Sequence, residues 1–187
     1  MEVLSNPVYW VPMLILAVGF MIWGFSVQVF LSNRKKLKPF IALVEGRTVN
    51  FWGRAIVTGM WRGKQVEITY GLFLAPQQLR VNFRQVFPLT LEIRFKGGSG
   101  RLGGGGLKKI AIGCPEFEKK YALAADDPTS ARTFLNEKKQ KIIDVLMFDS
   151  LRFDREGLRY LDYLDHERDL KPERAQILMA RLGELTF

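Results

Sequence analysis

The chain divides by the rhythm of its apolar positions. From Val3 to Asn33 no side chain is charged, and Val8 to Leu31 reads VYWVPMLILAVGFMIWGFSVQVFL. A helix needs about 20 apolar residues to cross a hydrocarbon core roughly 30 Å thick. A transmembrane helix is therefore predicted over 8–31, after a short outer tail at 1–7. Tyr9, Trp10 and Trp23 are its anchoring aromatics, and Pro12 falls in the first turn, where a missing N–H does least harm. A cleaved signal peptide would need a positive n-region and a small-x-small site. MEVLSN has no Lys or Arg, and Phe30-Leu31-Ser32-Asn33 is a poor site, so a retained anchor is expected.

Beyond a juxtamembrane segment at 32–50, helical from about Pro39, the period changes to two. Residues 65–70, 79–84 and 89–96 alternate polar and apolar, the mark of half-buried antiparallel strands. The run 54–61 joins the first through Arg62-Gly63, a tight turn. The pattern predicts a four-stranded antiparallel meander with Val66, Ile68, Tyr70, Val81, Phe83, Leu91, Ile93 and Phe95 on its core face. The glycine-rich stretch 97–106 follows, and then strands at 108–112 and 121–125. Asp127-Pro128 is a helix start, with Asp as cap and Pro at the first position. Ala131, Phe134, Leu135, Ile142, Ile143, Leu146 and Met147 recur at helical spacing. Strands at 151–153 and 157–163 come next, and the last helix, from Pro172, is expected to bury Ile177, Leu178, Leu182 and Leu185. The class is α+β: one transmembrane helix, then a domain at 51–187 made of a basic sheet half (51–96), the glycine loop and a ββ-α-ββ-α-like half (107–187).

Charge adds orientation. The net charge is +9 over 187 residues. Arg34, Lys35, Lys36 and Lys38 lie directly after the span, so the positive-inside rule puts the N-terminus outside and the domain in the cytoplasm. Residues 39–112 hold 11 basic and 3 acidic side chains, whereas 113–187 hold 13 and 15. Arg62, Lys64, Arg80, Arg84, Arg94 and Lys96 are thus read either as a basic face for lipid or partner docking or as a plain solvated face. Near an anionic leaflet each is worth about 1 kcal/mol, and together with the juxtamembrane charges they could lay the domain flat on the membrane. No nucleic-acid-binding pattern accompanies them, so a nucleic-acid partner is not expected.

Candidate chemistry is sparse. One Cys excludes an intramolecular disulfide, and one His excludes His-pair zinc motifs. Gly98-x-Gly100-x-x-Gly103 matches a dinucleotide fingerprint in form, but that mechanism needs a helix opening at the third glycine. Three more glycines follow, so a flexible connector is expected. His166 among Asp162, Asp165 and Asp169 is read as a solvated acidic turn in preference to a metal site or a cryptic catalytic group. Cys114 has no partner base nearby and is read as an idle thiol. No cofactor and no catalytic residue is expected.

From Gly113 the chain reads GCPEFEKKYALAADDPTSARTFL, and it later reads FDREGLRYLDYL. Pro115, Glu116, Phe117, Glu118 and Tyr121, followed by Asp127, Ala131, Arg132 and Leu135, make a pattern that resembles uncharacterised bacterial membrane-anchored proteins with a domain of unknown function. There a Pro-Glu-Phe strand precedes an Asp-led helix. Cys114 stands where Asp or Glu is more usual. The resemblance implies a bacterial membrane-anchored α+β domain and carries no catalytic residues. The reading that results is a non-enzymatic single-pass protein of the bacterial inner membrane, an accessory or docking subunit with other membrane-protein subunits as partners. The alternative is a membrane-tethered sensor or ligand-binding domain with the Gly97–Gly106 loop as a lid.

Overall fold

The computed structural model describes residues 7–51, 54–71, 78–97, 106–163 and 171–186, except the side chains of 7–9 and Tyr163. The glycines at 98–105, and Asp165, His166 and Asp169, lie outside these residues.

Helix α1 (Pro7–Leu43) has 37 residues, about 55 Å at 1.5 Å per residue. It is long and apolar enough to cross a membrane, and Met13, Leu14, Ile15, Leu16, Phe20 and Met21 are all exposed. The helix does not stop near Leu31 before a separate juxtamembrane segment. Asn33, Leu37, Phe40 and Val44 recur at helical spacing and are buried, so the last third of α1 belongs to the domain core. The basic residues between them hide this stripe from a hydropathy reading. Glu45, at φ 47°, and Gly46 then turn the chain into the first strand. Gly59 makes the corner possible: a Cβ there would lie 2.2 Å from the Val44 carbonyl oxygen.

Nine strands follow among the described residues: β1 (Arg47–Phe51), β2 (Arg54–Trp61), β3 (Lys64–Tyr70), β4 (Gln78–Phe83), β5 (Leu91–Phe95), β6 (Lys108–Lys109), β7 (Tyr121–Ala125), β8 (Ser150–Asp154) and β9 (Gly157–Tyr163). They form one antiparallel sheet in the order β1-β2-β3-β4-β9-β8-β5-β7-β6. The expected four-stranded meander is therefore broken after three. β9 pairs with β4 (Val81↔Tyr160) and β8 with β5 (Ile93↔Leu151), so the β8–β9 hairpin sits between β4 and β5. Alternation assigns a strand its faces but not its neighbour, and the hairpin alternates as well as β5 does.

One sheet face is covered. Val66, Ile68, Tyr70, Val81, Phe83, Leu91 and Ile93 are buried there as expected, joined by Leu151, Phe153, Leu158 and Tyr160. Phe95, at the end of β5, is 47% exposed instead. The covering elements are the end of α1 with α2 (Pro115–Lys120), α3 (Pro128–Phe134), α4 (Glu137–Asp144) and α5 (Pro172–Leu185). Asp127 caps α3 through the Thr129 N–H at 2.9 Å, and Asn136 caps α4 through the Lys139 N–H at 3.0 Å.

The segment expected to be a strand at Pro115 is helix α2. The Glu118 carboxylate accepts from the N–H groups of Ile112 (2.7 Å) and Gly113 (2.8 Å), bending the chain into the turn. Those bonds, Gly113 first, hold its pKa below the usual carboxylate value. Phe117 is buried from the helix, 4.6 Å from the Tyr121 ring. With α2 added, and α3 and α4 separate, the distal half is not a simple ββ-α-ββ-α unit. Met147 (70%) and Ile177 (60%) are exposed, whereas Ala175 and Met179 are the further buried residues of α5.

Candidate functional site: an arginine-bearing open sheet face

The alternate residues of the strands form a second face, away from the covering helices. Register places two rows across it. One runs Thr58–Glu67–Asn82–Arg159–Arg152–Glu92–Ala124, and the other Ile56–Thr69–Arg80–Leu161–Ser150–Arg94–Ala122. Arg80, Arg94, Arg152 and Arg159 therefore come from four different strands to one region. Arg152 and Arg159 are directly opposite each other, a like-charge pair that costs stability unless something lies between.

Asp154 provides it. Only 7% exposed, it accepts from Arg152 Nε and from an Arg159 terminal nitrogen, each at 3.0 Å. Its other oxygen accepts from the N–H groups of Glu156 (2.9 Å) and Gly157 (3.2 Å), closing the β8–β9 turn. Gly157 has φ +143°, and a Cβ there would lie 1.9 Å from the Phe83 carbonyl oxygen, so this crossing of the β4 end needs glycine. Glu92, 4% exposed, accepts from Arg94 Nε. Arg80 donates to Gln78 Oε1 at 2.9 Å, and Arg159 also donates to Glu156.

Two shallow depressions result. One of about 280 Å³ is lined by Arg80, Glu92, Arg94, Ser150, Arg152 and Arg159. Its neighbour, about 350 Å³, is lined by Glu67, Asn82, Arg84, Glu156 and Arg159. Four guanidinium groups meet two buried carboxylates here. Each guanidinium has five donors in a fixed fork, more than Glu92 and Asp154 occupy. The arrangement suits carboxylate- or phosphate-bearing partners.

Of the residues singled out in the sequence, Arg80 and Arg94 meet in this site and Arg84 lines the adjoining depression. Lys96 is exposed beyond β5, its backbone N–H bonded to the Lys120 carbonyl. Arg62 and Lys64 are elsewhere. Arg62 lies over the Trp61 ring at 5.5 Å. Lys64 Nζ donates to Gln85 Oε1 (2.6 Å) and to the Thr186 carbonyl and hydroxyl (2.8 Å each), tying the β2–β3 turn to the end of α5. Burial lowers its pKa. Arg152, Arg159 and Ser150 are the residues sequence reasoning missed. Their strands were legible, but not that β8 and β9 lie beside β4 and β5.

Among the juxtamembrane residues, Arg34, Lys35 and Lys38 are exposed. Lys36 turns inward, its Nζ donating to the Tyr70 hydroxyl at 3.2 Å and 5.4 Å from the ring centre. Trp10 and Trp23 are exposed on α1, and Tyr9 lies in its first turns. Cys114 is half-buried at the start of α2.

The position of α1 orients the face. Asn33 packs on Gly71, Lys36 on Tyr70, and the Val44 carbonyl accepts from the Met60 N–H. From 33 to 44 the helix rises about 16 Å, and from Ala55, the partner of Tyr70, to Met60 β2 extends about 16 Å. The helix thus runs along β2 and β3, and the open face lies on the other side of the sheet.

Fold and site define the class: an α+β protein with a long N-terminal apolar helix built into one face of a large antiparallel sheet and an arginine-bearing face left open. No protein-family model and no curated protein matches the chain. Among solved structures it is similar to the mycobacterial trehalose monomycolate transport factor A, with a TM-score of 0.49 and 14% identity over 75% of each chain. Likeness at that level says nothing of function.

Proposed function

We propose that this is a non-enzymatic, single-pass protein of a bacterial inner membrane and an accessory subunit that presents the open sheet face to another member of a membrane complex. Its N-terminus is outside and its domain cytoplasmic, as the cluster Arg34, Lys35, Lys36 and Lys38 requires under the positive-inside rule. One observation carries the reading: α1 enters the domain core without a break, through Leu37, Phe40 and Val44. A tether needs no such join, whereas a subunit that must hold a surface at a set angle does. With α1 across the bilayer the arginine face lies on the side of the sheet away from α1 and is open to a neighbour in the complex.

The test is purification of the full chain in mild detergent from its own membranes. A stoichiometric partner is expected, and Arg80→Glu with Arg94→Glu and Arg152→Glu should weaken its retention by about tenfold or more, as reversing charges in an interface does. A lone monomer, or retention indifferent to the charges of a folded variant, overturns the reading.

A further inference from the structure

A cleft lies where α1 meets the start of α5, lined by Lys35, Lys38, Ala42 and Leu43 of α1 and by Pro172 and Gln176 of α5. Its volume is about 560 Å³. Lys35, Lys38 and Ala42 recur at three and four residues, so they share a side of α1, the side opposite the buried stripe Asn33, Leu37, Phe40 and Val44. Neither lysine has a carboxylate within ion-pair distance among the described residues. The first part of the cleft is therefore cationic and the rest, apart from the Gln176 amide, apolar.

Depth decides what fits. Taking Leu31 as the end of the span, Lys35 lies about 6 Å, Lys38 about 10 Å and Leu43 about 18 Å further along the axis. The polar layer of one leaflet is only about 5–8 Å thick. Lys35 and Lys38 stand at and just beyond the headgroups, but the apolar part of the cleft lies past the reach of acyl chains. A lipid could meet the charges and not the floor. A polypeptide that leaves the membrane beside α1 meets both.

We infer that this cleft seats an acidic, amphipathic juxtamembrane segment of a membrane-protein partner. Its carboxylates pair with Lys35 and Lys38, its apolar side chains cover Ala42, Leu43 and Pro172, and the Gln176 amide bonds its backbone. The inference rests on the docking-subunit reading and gives it a second contact, distinct from the arginine face.

The experiment places the photocrosslinker benzoylphenylalanine at Ala42, at Gln176 or, for comparison, at Arg84 on the open face, in the full chain in native membranes. From 42 and 176 the expected adduct is with one protein, through a peptide rich in Asp or Glu within a few turns of its transmembrane segment. Lys35→Gln with Lys38→Gln should reduce that adduct about tenfold, equivalent to about 1.4 kcal/mol. Lys35→Arg with Lys38→Arg should preserve it. Ala42→Glu, which sets a carboxylate in the floor, should reduce the adduct from 176 without removing either lysine. Adducts with lipid alone, an attached peptide without acidic residues, or an adduct unchanged by the Gln pair overturns the inference. Trapping from 84 but not from 42 or 176 overturns it and leaves the docking-subunit reading standing. No protein adduct from any position overturns both.

Discussion

Asp154 decides whether the open face exists in its present form. It separates two arginines that the register sets against each other and satisfies two N–H groups of the β8–β9 turn. Asp154→Ala removes the separating charge and leaves both turn amides without their acceptor. Loss of buried acceptors of this kind costs about 1–3 kcal/mol, and the uncovered like-charge pair adds to it. The expected result is a fall of at least about 2 kcal/mol in unfolding free energy by urea titration of the detergent-solubilised chain, against under about 0.5 kcal/mol for Glu156→Ala, whose ion pair is exposed. Equal effects for the two variants would refute this account. At this scale the sequence was informative where chemistry is local: Asp127 caps the helix that follows it, as its place before Pro128 suggests, whereas Asn136 caps a second helix that the apolar spacing runs together with the first. It was silent on Asp154, whose importance depends on a strand pairing and not on a motif.

The element that most changes the picture is α1. A hydropathy reading ends it where Arg34 begins the basic cluster, yet Leu37, Phe40 and Val44 continue as a fully buried stripe. Burial of each such side chain is worth about 1.5–3 kcal/mol, and a whole domain is stable by only about 5–15 kcal/mol. A fragment starting at residue 51 also lacks β1, so it should express as an aggregate or as a chain without a cooperative thermal transition. A fragment starting at residue 32 retains the stripe and should melt cooperatively. Circular dichroism on the two settles it, and cooperative melting of the shorter one would show that the end of α1 is dispensable. The stripe was legible in principle from its spacing of four, three and four. Helix α2 was less so, because Glu118 bends it through backbone groups that lie before the helix begins.

At the scale of the molecule, the helix that carries the proposed span also sets how the sheet stands. The proposed orientation predicts that a reporter enzyme active only outside the cytoplasm is silent when fused after Phe187, whereas a cytoplasmic reporter is active there. The opposite pattern would reverse the assignment and put the arginine face on the other side of the membrane. The sequence by itself determined the apolar run, most of the strands and most of their inward-facing residues, the Asp127 helix cap and the uneven charge. Each of these is written in spacing over a few residues, where periodicity and local hydrogen bonding suffice. Only the tertiary structure decided that β8 and β9 lie between β4 and β5, and hence that Arg80, Arg94, Arg152 and Arg159 share one surface. Neighbour choice in an antiparallel sheet is settled by burial across the whole chain. Strands that alternate equally well are interchangeable until the helices cover one face, and that covering selects the order.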